Sequence, residues 1–125
     1  MTDLITLDTD YSKDLTVYRL MKGWQKIHED YGLWICAGKS GSFSTVHQKP
    51  NPRYFEFYTI SHLVKGHGWL WIEGEGTKTF EAGQAVIMGP GIVHDYNGFD
   101  SYVEDFVCFT GTIADQLLPA HIQRP

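Results

Sequence analysis

Glycine and proline punctuate this chain every eight to twelve residues from about Gly32 onward, and that spacing constrains the fold more than any other feature. The segments between are short, aromatic and β-branched. They suit the strands of an all-β sandwich or barrel. Strands are predicted over residues 15–21, 33–37, 55–64, 68–73, 77–81, 85–88, 94–96 and 102–109. Two stretches read as helical. One is 112–118, where Thr112 can cap the first turn and Pro119 stops the run; the other, with a weaker pattern, is the acidic N-terminal stretch. Between residues 69–72 and 77–80 lies Glu73-Gly74-Glu75-Gly76, whose glycines supply the positive φ that a tight β-hairpin demands. The segment 48–53 carries Pro50 and Pro52, which cannot donate ladder hydrogen bonds, and is predicted to be an exposed connection.

Seven Tyr, seven Phe and four Trp in 125 residues are too much apolar mass for a solvated, disordered chain. A chain of this length buries roughly two thirds of its unfolded surface, enough for one core without disulfides or a structural metal. The expectation is a single soluble domain over residues 1–125. The longest apolar run, 33–37, is far short of the roughly 20 residues of a membrane helix. Met1-Thr2-Asp3-Leu4-Ile5 lacks the basic and apolar segments of a signal peptide, so the cytoplasm is the expected compartment. With 15 acidic against 10 basic residues, a formal charge of −5, the chain has no long-range attraction to polyphosphate, and no direct nucleic-acid contact is expected from it. Cys36 and Cys108 form no CxxC and sit in apolar stretches, where buried free thiols are expected.

The densest signal for chemistry runs from Gly83 to Asn97. A short apolar strand ends in Gly89-Pro90-Gly91, and the next strand opens at His94. Pro90-Gly91-x-x-His94 resembles the second half-motif of cupin β-barrels, and Leu63-Val64-Lys65-Gly66-His67-Gly68-Trp69-Leu70 resembles the strand and turn of their first. With Phe109-x-Gly111 followed by Ala114-x-x-Leu117-Leu118, the pattern resembles the N-terminal sensory domain of AraC-family transcriptional regulators. The resemblance spans about residues 33–118 and is most distinctive over 66–96; Gly89 stands where the family commonly has a proline. It implies an all-β, cupin-like double-stranded β-helix, a jelly-roll barrel, with a short C-terminal helix over 112–118. Residues 1–14 would form an arm or an edge strand. The implied function is to bind a small polar, sugar-like effector inside the barrel and control an attached DNA-binding domain. By the same resemblance the helix-turn-helix part is expected to lie outside this chain, and a homodimer is expected by analogy.

Many cupins hold a transition metal with His-x-His, a carboxylate and the histidine equivalent to His94. Counting back from Gly66, those first positions fall at about Pro52, Tyr54 and Thr59, which cannot ligate as the motif requires. His62 and His67 are five apart on an extended segment and point to opposite faces. No metal and no cofactor are therefore expected. The runner-up reading is a stand-alone metal-dependent cupin enzyme, an isomerase or dioxygenase, using His94 with His47 or His62. Gly-x-Ser-x-Gly, Walker A and Gly-x-Gly-x-x-Gly signatures are missing, and no catalytic residue is assigned.

With His94 inward, Tyr96 is inward and Asp95 outward. On the next strand Tyr102, Glu104, Phe106 and Cys108 share one face, which comparison with sugar-sensing members of the family turns towards the cavity. An aromatic face at Phe106 beside a carboxylate at Glu104 suits polyol recognition, because sugar C–H faces pack on rings while hydroxyls need fixed partners. Alignment with the family adds Ser40 and Arg53. The candidate ligand-binding set is thus His94, Tyr96, Glu104, Phe106, Ser40 and Arg53. Four of them have an ordinary alternative: Tyr96 and Phe106 as barrel filling, His94 as a hydrogen-bonded mouth residue, Arg53 as a solvated loop edge. Trp69 and Trp71 are either cavity wall or outer core.

Overall fold

A computed structural model describes residues 16–18, 25–47 and 51–118. The predicted arm at 1–14, Pro119 and His121 lie outside them. The strands are β1 (Thr16–Tyr18), β2 (Trp34–Ser44), β3 (Arg53–Phe55), β4 (Tyr58–Lys65), β5 (His67–Ile72), β6 (Gly76–Glu81), β7 (Ala85–Met88), β8 (His94–Gly98) and β9 (Tyr102–Thr110). Two short helices, α1 (Lys26–Tyr31) and α2 (Thr112–Leu117), flank the β region.

The strands form two sheets, in the orders β1-β3-β8-β5-β6 and β2-β9-β4-β7. Apart from the parallel pair β1–β3, all pairings are antiparallel. From β3 onward the chain passes repeatedly from one sheet to the other, staying in one sheet only for the β5–β6 hairpin. The two sheets face each other as an all-β, cupin-like double-stranded β-helix.

The hairpin forms where the two glycines predict it: Gly74 and Gly76 both have positive φ, and Ile72 pairs with Gly76. At the corner before His94, Gly91 has φ 77, and its N–H donates to the Phe55 carbonyl 2.9 Å away. A side chain at that φ is strained, so the corner requires glycine.

Several boundaries differ from the sequence expectation. The strand predicted over 33–37 runs on to Ser44, because β2 finds a partner along the whole of β9 and absorbs the mismatch in two register shifts. The strand predicted over 55–64 is cut at Glu56-Phe57, where the chain crosses between sheets. Helix α1 was not expected: it buries no residue and so has no apolar stripe to announce it, and it is held by a reciprocal Gln25–His28 cap. His28, expected to be solvated, is half-buried and stacks on Trp34 at 5.2 Å. At α2 the cap position belongs to Gly111 rather than Thr112. Gly111 has φ 130, and a Cβ there would lie 2.1 Å from the Gly32 carbonyl oxygen, so close approach of the chain selects glycine. Pro52 and Arg53, expected on an exposed connection, are buried.

The buried apolar side chains gather in three clusters, the first two between the sheets. Leu63, Phe80 and Tyr102 form one, Leu70, Met88 and Ile92 a second, and Val86 and Tyr96 pack against both. The third, Tyr58 and Ala114 with Leu33, Phe109 and Leu118, fastens α2 to the barrel.

Candidate ligand-binding cavity

Strands β4 and β9 lie side by side in antiparallel register, which pairs Thr59 with Cys108, Ser61 with Phe106 and Leu63 with Glu104. Successive residues of a strand point to opposite faces, so these six share one face, directed between the sheets. From the opposite sheet β3 contributes Arg53 and Phe55 and β8 contributes Tyr96, while Phe57 enters from the crossover. Together, apart from Leu63, they enclose a half-open cavity of about 330 Å³. That is within the roughly 300–1,000 Å³ typical of small-molecule sites. Phe55, Thr59, Ser61 and Tyr96 are shared with a second recess, only about 10 Å³, that ends at His94.

The polar groups here are buried and incompletely paired. Tyr96 Oη donates to Glu104 Oε1 at 3.2 Å, while Glu104 Oε2 is buried without a hydrogen-bond partner. Burial lifts the Glu104 carboxyl above its ordinary pKa, against the opposing effects of the Tyr96 hydrogen bond and the Arg53 charge. The Tyr96 phenol is pushed up as well, first by burial and then by the Glu104 charge. The Arg53 guanidinium lies 4.7 Å from the Tyr96 ring centre and 5.7 Å from that of Phe55, a cation–π arrangement. Its Nη1 is 3.7 Å from Asp95 Oδ1, and its Nε is buried without a partner. Cys108 is a free thiol raised to about 11, chiefly by burial.

His94 is 1% exposed. Its Nδ1 donates to the Ile92 carbonyl at 2.9 Å, which leaves Nε2 as a buried acceptor with no partner. Desolvation holds its pKa down at about 4, so the ring is neutral near pH 7.

The sequence-predicted residues separate into three groups. Arg53, Tyr96, Glu104 and Phe106 meet around the larger cavity, and His94 lines the recess beside it. Ser40 is not among the residues that line this cavity: it lies at the register shift between Lys39 and Ser42, where its Oγ donates to Asp105 Oδ1 at 3.1 Å. Asp95, expected to face outward, is 0% exposed. It lies on the outer face of its sheet, but His47, Asn51 and Arg53 close in on it: Asn51 N–H donates to Oδ2 at 2.8 Å, and His47 Nε2 and Arg53 Nη1 stand 3.6 and 3.7 Å from Oδ1. Asn97, two residues on, accepts from His47 N–H and donates to the His47 carbonyl. Trp69 and Trp71 pair with Asn97 and Asp95 and so belong to this outer face, not to the cavity wall.

Sequence reasoning missed Phe55, Phe57, Thr59 and Ser61. Thr59, Ser61 and Leu63 do alternate along β4, a period-two signal that could have placed them on one face. For the metal reading, His94 points into the recess, His47 lies against Asp95 on the outer face, and His62 is exposed. Among the described residues no three His, Cys, Asp or Glu side chains are grouped to hold a metal ion. No helix of the described residues is long and apolar enough to cross a membrane.

No protein-family model matches the chain, and no curated protein matches it significantly. Among solved structures it is similar to a cupin 2 conserved barrel domain protein from Salinispora arenicola CNS-205, with 22% identity over 62% of this chain and 60% of that one and a TM-score of 0.42. It is also similar to an RmlC-like cupin family protein with a double-stranded β-helix fold from Methanocaldococcus jannaschii, with 13% identity over 69% and 84% of the two chains and a TM-score of 0.48. A third neighbour is the DMSP lyase DddQ from Ruegeria pomeroyi DSS-3, with 19% identity over 58% and 34% and a TM-score of 0.39. The chain thus spans 60% of the length of the Salinispora protein. At these scores the likeness goes no further than the barrel architecture that the strand order already shows.

Proposed function

We propose that this barrel is the effector-binding domain of an AraC-type transcriptional regulator, taking a small polar ligand of polyol character into the cavity between its sheets. One observation carries the binding reading: the buried, unpaired Arg53 Nε and Glu104 Oε2 border a cavity of about 330 Å³ whose other walls include Phe55, Phe57 and Phe106. Buried polar atoms without partners are costly, and a ligand hydroxyl that bonds them recovers that cost on binding. The rings meanwhile accept the ligand's C–H face. The chain path supports the regulatory reading. Strand β9 carries Glu104, Phe106 and Cys108 past the cavity and leads through Gly111 into α2. Helix α2 is moored by Tyr58 Oη, which donates to Asp115 Oδ1 at 2.7 Å. An effector that orders β9 therefore alters what α2 presents to an attached domain, by no more than its differential affinity for the two states.

The test is thermal stabilisation of the full chain across a panel of pentoses, hexoses and sugar alcohols. At least one should raise the melting temperature, and Phe106→Ala and Glu104→Gln should each abolish that shift while remaining folded by circular dichroism. A shift that survives both substitutions, or a panel without any shift, overturns the assignment.

A further inference from the structure

Resting on that binding reading, we infer that the ligand is an amine: a small amino sugar or amino alcohol whose protonated nitrogen sits against Glu104 and whose neighbouring oxygen faces Arg53.

Among the described residues Arg53 is the cation that faces the cavity, and its Nη1 lies 3.7 Å from Asp95, a carboxylate with no exposure to solvent. Asp95 takes a backbone N–H from Asn51 as well, so this ion pair is part of how the chain is fastened to β8. The guanidinium is therefore engaged with Asp95 and only shared with Glu104, whose ionised form its charge also favours. Glu104, 5% exposed, has only the neutral Tyr96 hydroxyl on Oε1, and Oε2 has no partner. The histidines supply no second counter-charge: His94 is held neutral, and burial lowers the pKa of His47.

A buried carboxylate without its own cation is compensated best by a ligand that brings one. A neutral polyol can bond Oε2 but leaves the charge in place. An anion adds repulsion from Glu104.

The walls favour the same occupant. Aromatic faces attract cations, and in this cavity Tyr96 and Phe55 already hold one in Arg53. Phe57, stacked parallel to Phe55 at 4.9 Å, and Phe106 line the rest of the space. Arg53 Nε, a buried donor without a partner, calls for an oxygen acceptor beside the nitrogen. An ammonium with a neighbouring hydroxyl meets all three demands, whereas a simple alkylamine leaves Arg53 unpaired.

Titration calorimetry on the full chain with matched pairs tests this: D-glucosamine against D-glucose, D-galactosamine against D-galactose, and ethanolamine against ethylene glycol. The amine of at least one pair should bind ten-fold or more tightly than its neutral partner, and Glu104→Gln should bring that ratio close to one. Phe106→Ala should weaken the amine without reversing the preference. Equal binding within every pair, or preference for the neutral member, overturns the amine inference and leaves the cavity reading standing. Binding by no member of any pair overturns both. The paired comparison on the unsubstituted chain holds whether or not Glu104→Gln folds.

Discussion

Two halves of one barrel interior are built from the same strands and differ in what they leave open. Where Leu63, Phe80 and Tyr102 meet Leu70, Met88 and Ile92, side chains from both sheets interlock. The recess at that side is about 10 Å³, room for about one water. A few rungs along β4 and β9 the same two strands present Thr59, Ser61, Phe106 and Cys108 to a space of about 330 Å³. Small polar residues on one strand, facing rings that do not reach them, keep that half unfilled. The packed half supplies the stability that allows the other half to hold unpaired Arg53 and Glu104 atoms.

The largest expected effect breaks this contrast if it fails. Leu63→Ala, at a side chain 2% exposed, should cost about 3 kcal/mol in urea unfolding, while Phe106→Ala, whose ring already borders empty space, should cost about 1 kcal/mol. Equal losses would mean that the two halves are packed alike.

His94 stands at the boundary and should show a pH signature of similar size. Its pKa is about 4 in the folded chain against an ordinary 6.5, so folding favours the neutral ring. That contribution is fully present above pH 6.5 and is lost as pH falls towards 4, about 3 kcal/mol in all. Asp95 and Glu104 act with the opposite sign, since burial raises both and protonation relieves them. The difference between the unsubstituted chain and His94→Gln isolates the histidine, and it should shrink from pH 7 to pH 4.5. A constant difference would show that the ring is solvated.

The smallest effect sharpens the link between the cavity strand and α2. Tyr58→Phe removes the hydroxyl that donates to Asp115 but keeps the ring stacked on Phe109 at 5.6 Å. The expected loss is about 1 kcal/mol. Hydrogen exchange should quicken in α2 while β5 and β6 are unaffected.

Much of the barrel was legible in the chain because its signals are local. Ala85–Met88 is found where it was predicted, as is the hairpin at Gly74 and Gly76. Burial alternates along β9 as the even-numbered face requires, with Tyr102, Glu104 and Cys108 buried. Of the candidate site, Arg53, Tyr96, Glu104 and Phe106 could be brought to one cavity by that alternation together with a family resemblance. Ser40 could not be placed in the same way. Alternation carries no information past a bulge, and β2 shifts register twice.

What the amino-acid order alone determined is the set of corners and the two-residue rhythm between them, since backbone sterics at glycine and proline and the pleat of a strand act over a few residues. Tertiary structure alone decided which faces became interior. Asp95 reads as an outward residue of an ordinary strand, yet it is fully buried, with His47, Asn51 and Arg53 gathered against it. That arrangement draws Arg53 towards Asp95, and among the described residues Glu104 has no cation beyond its share of Arg53. Burial of charge depends on partners distant in sequence, and no local pattern encodes them.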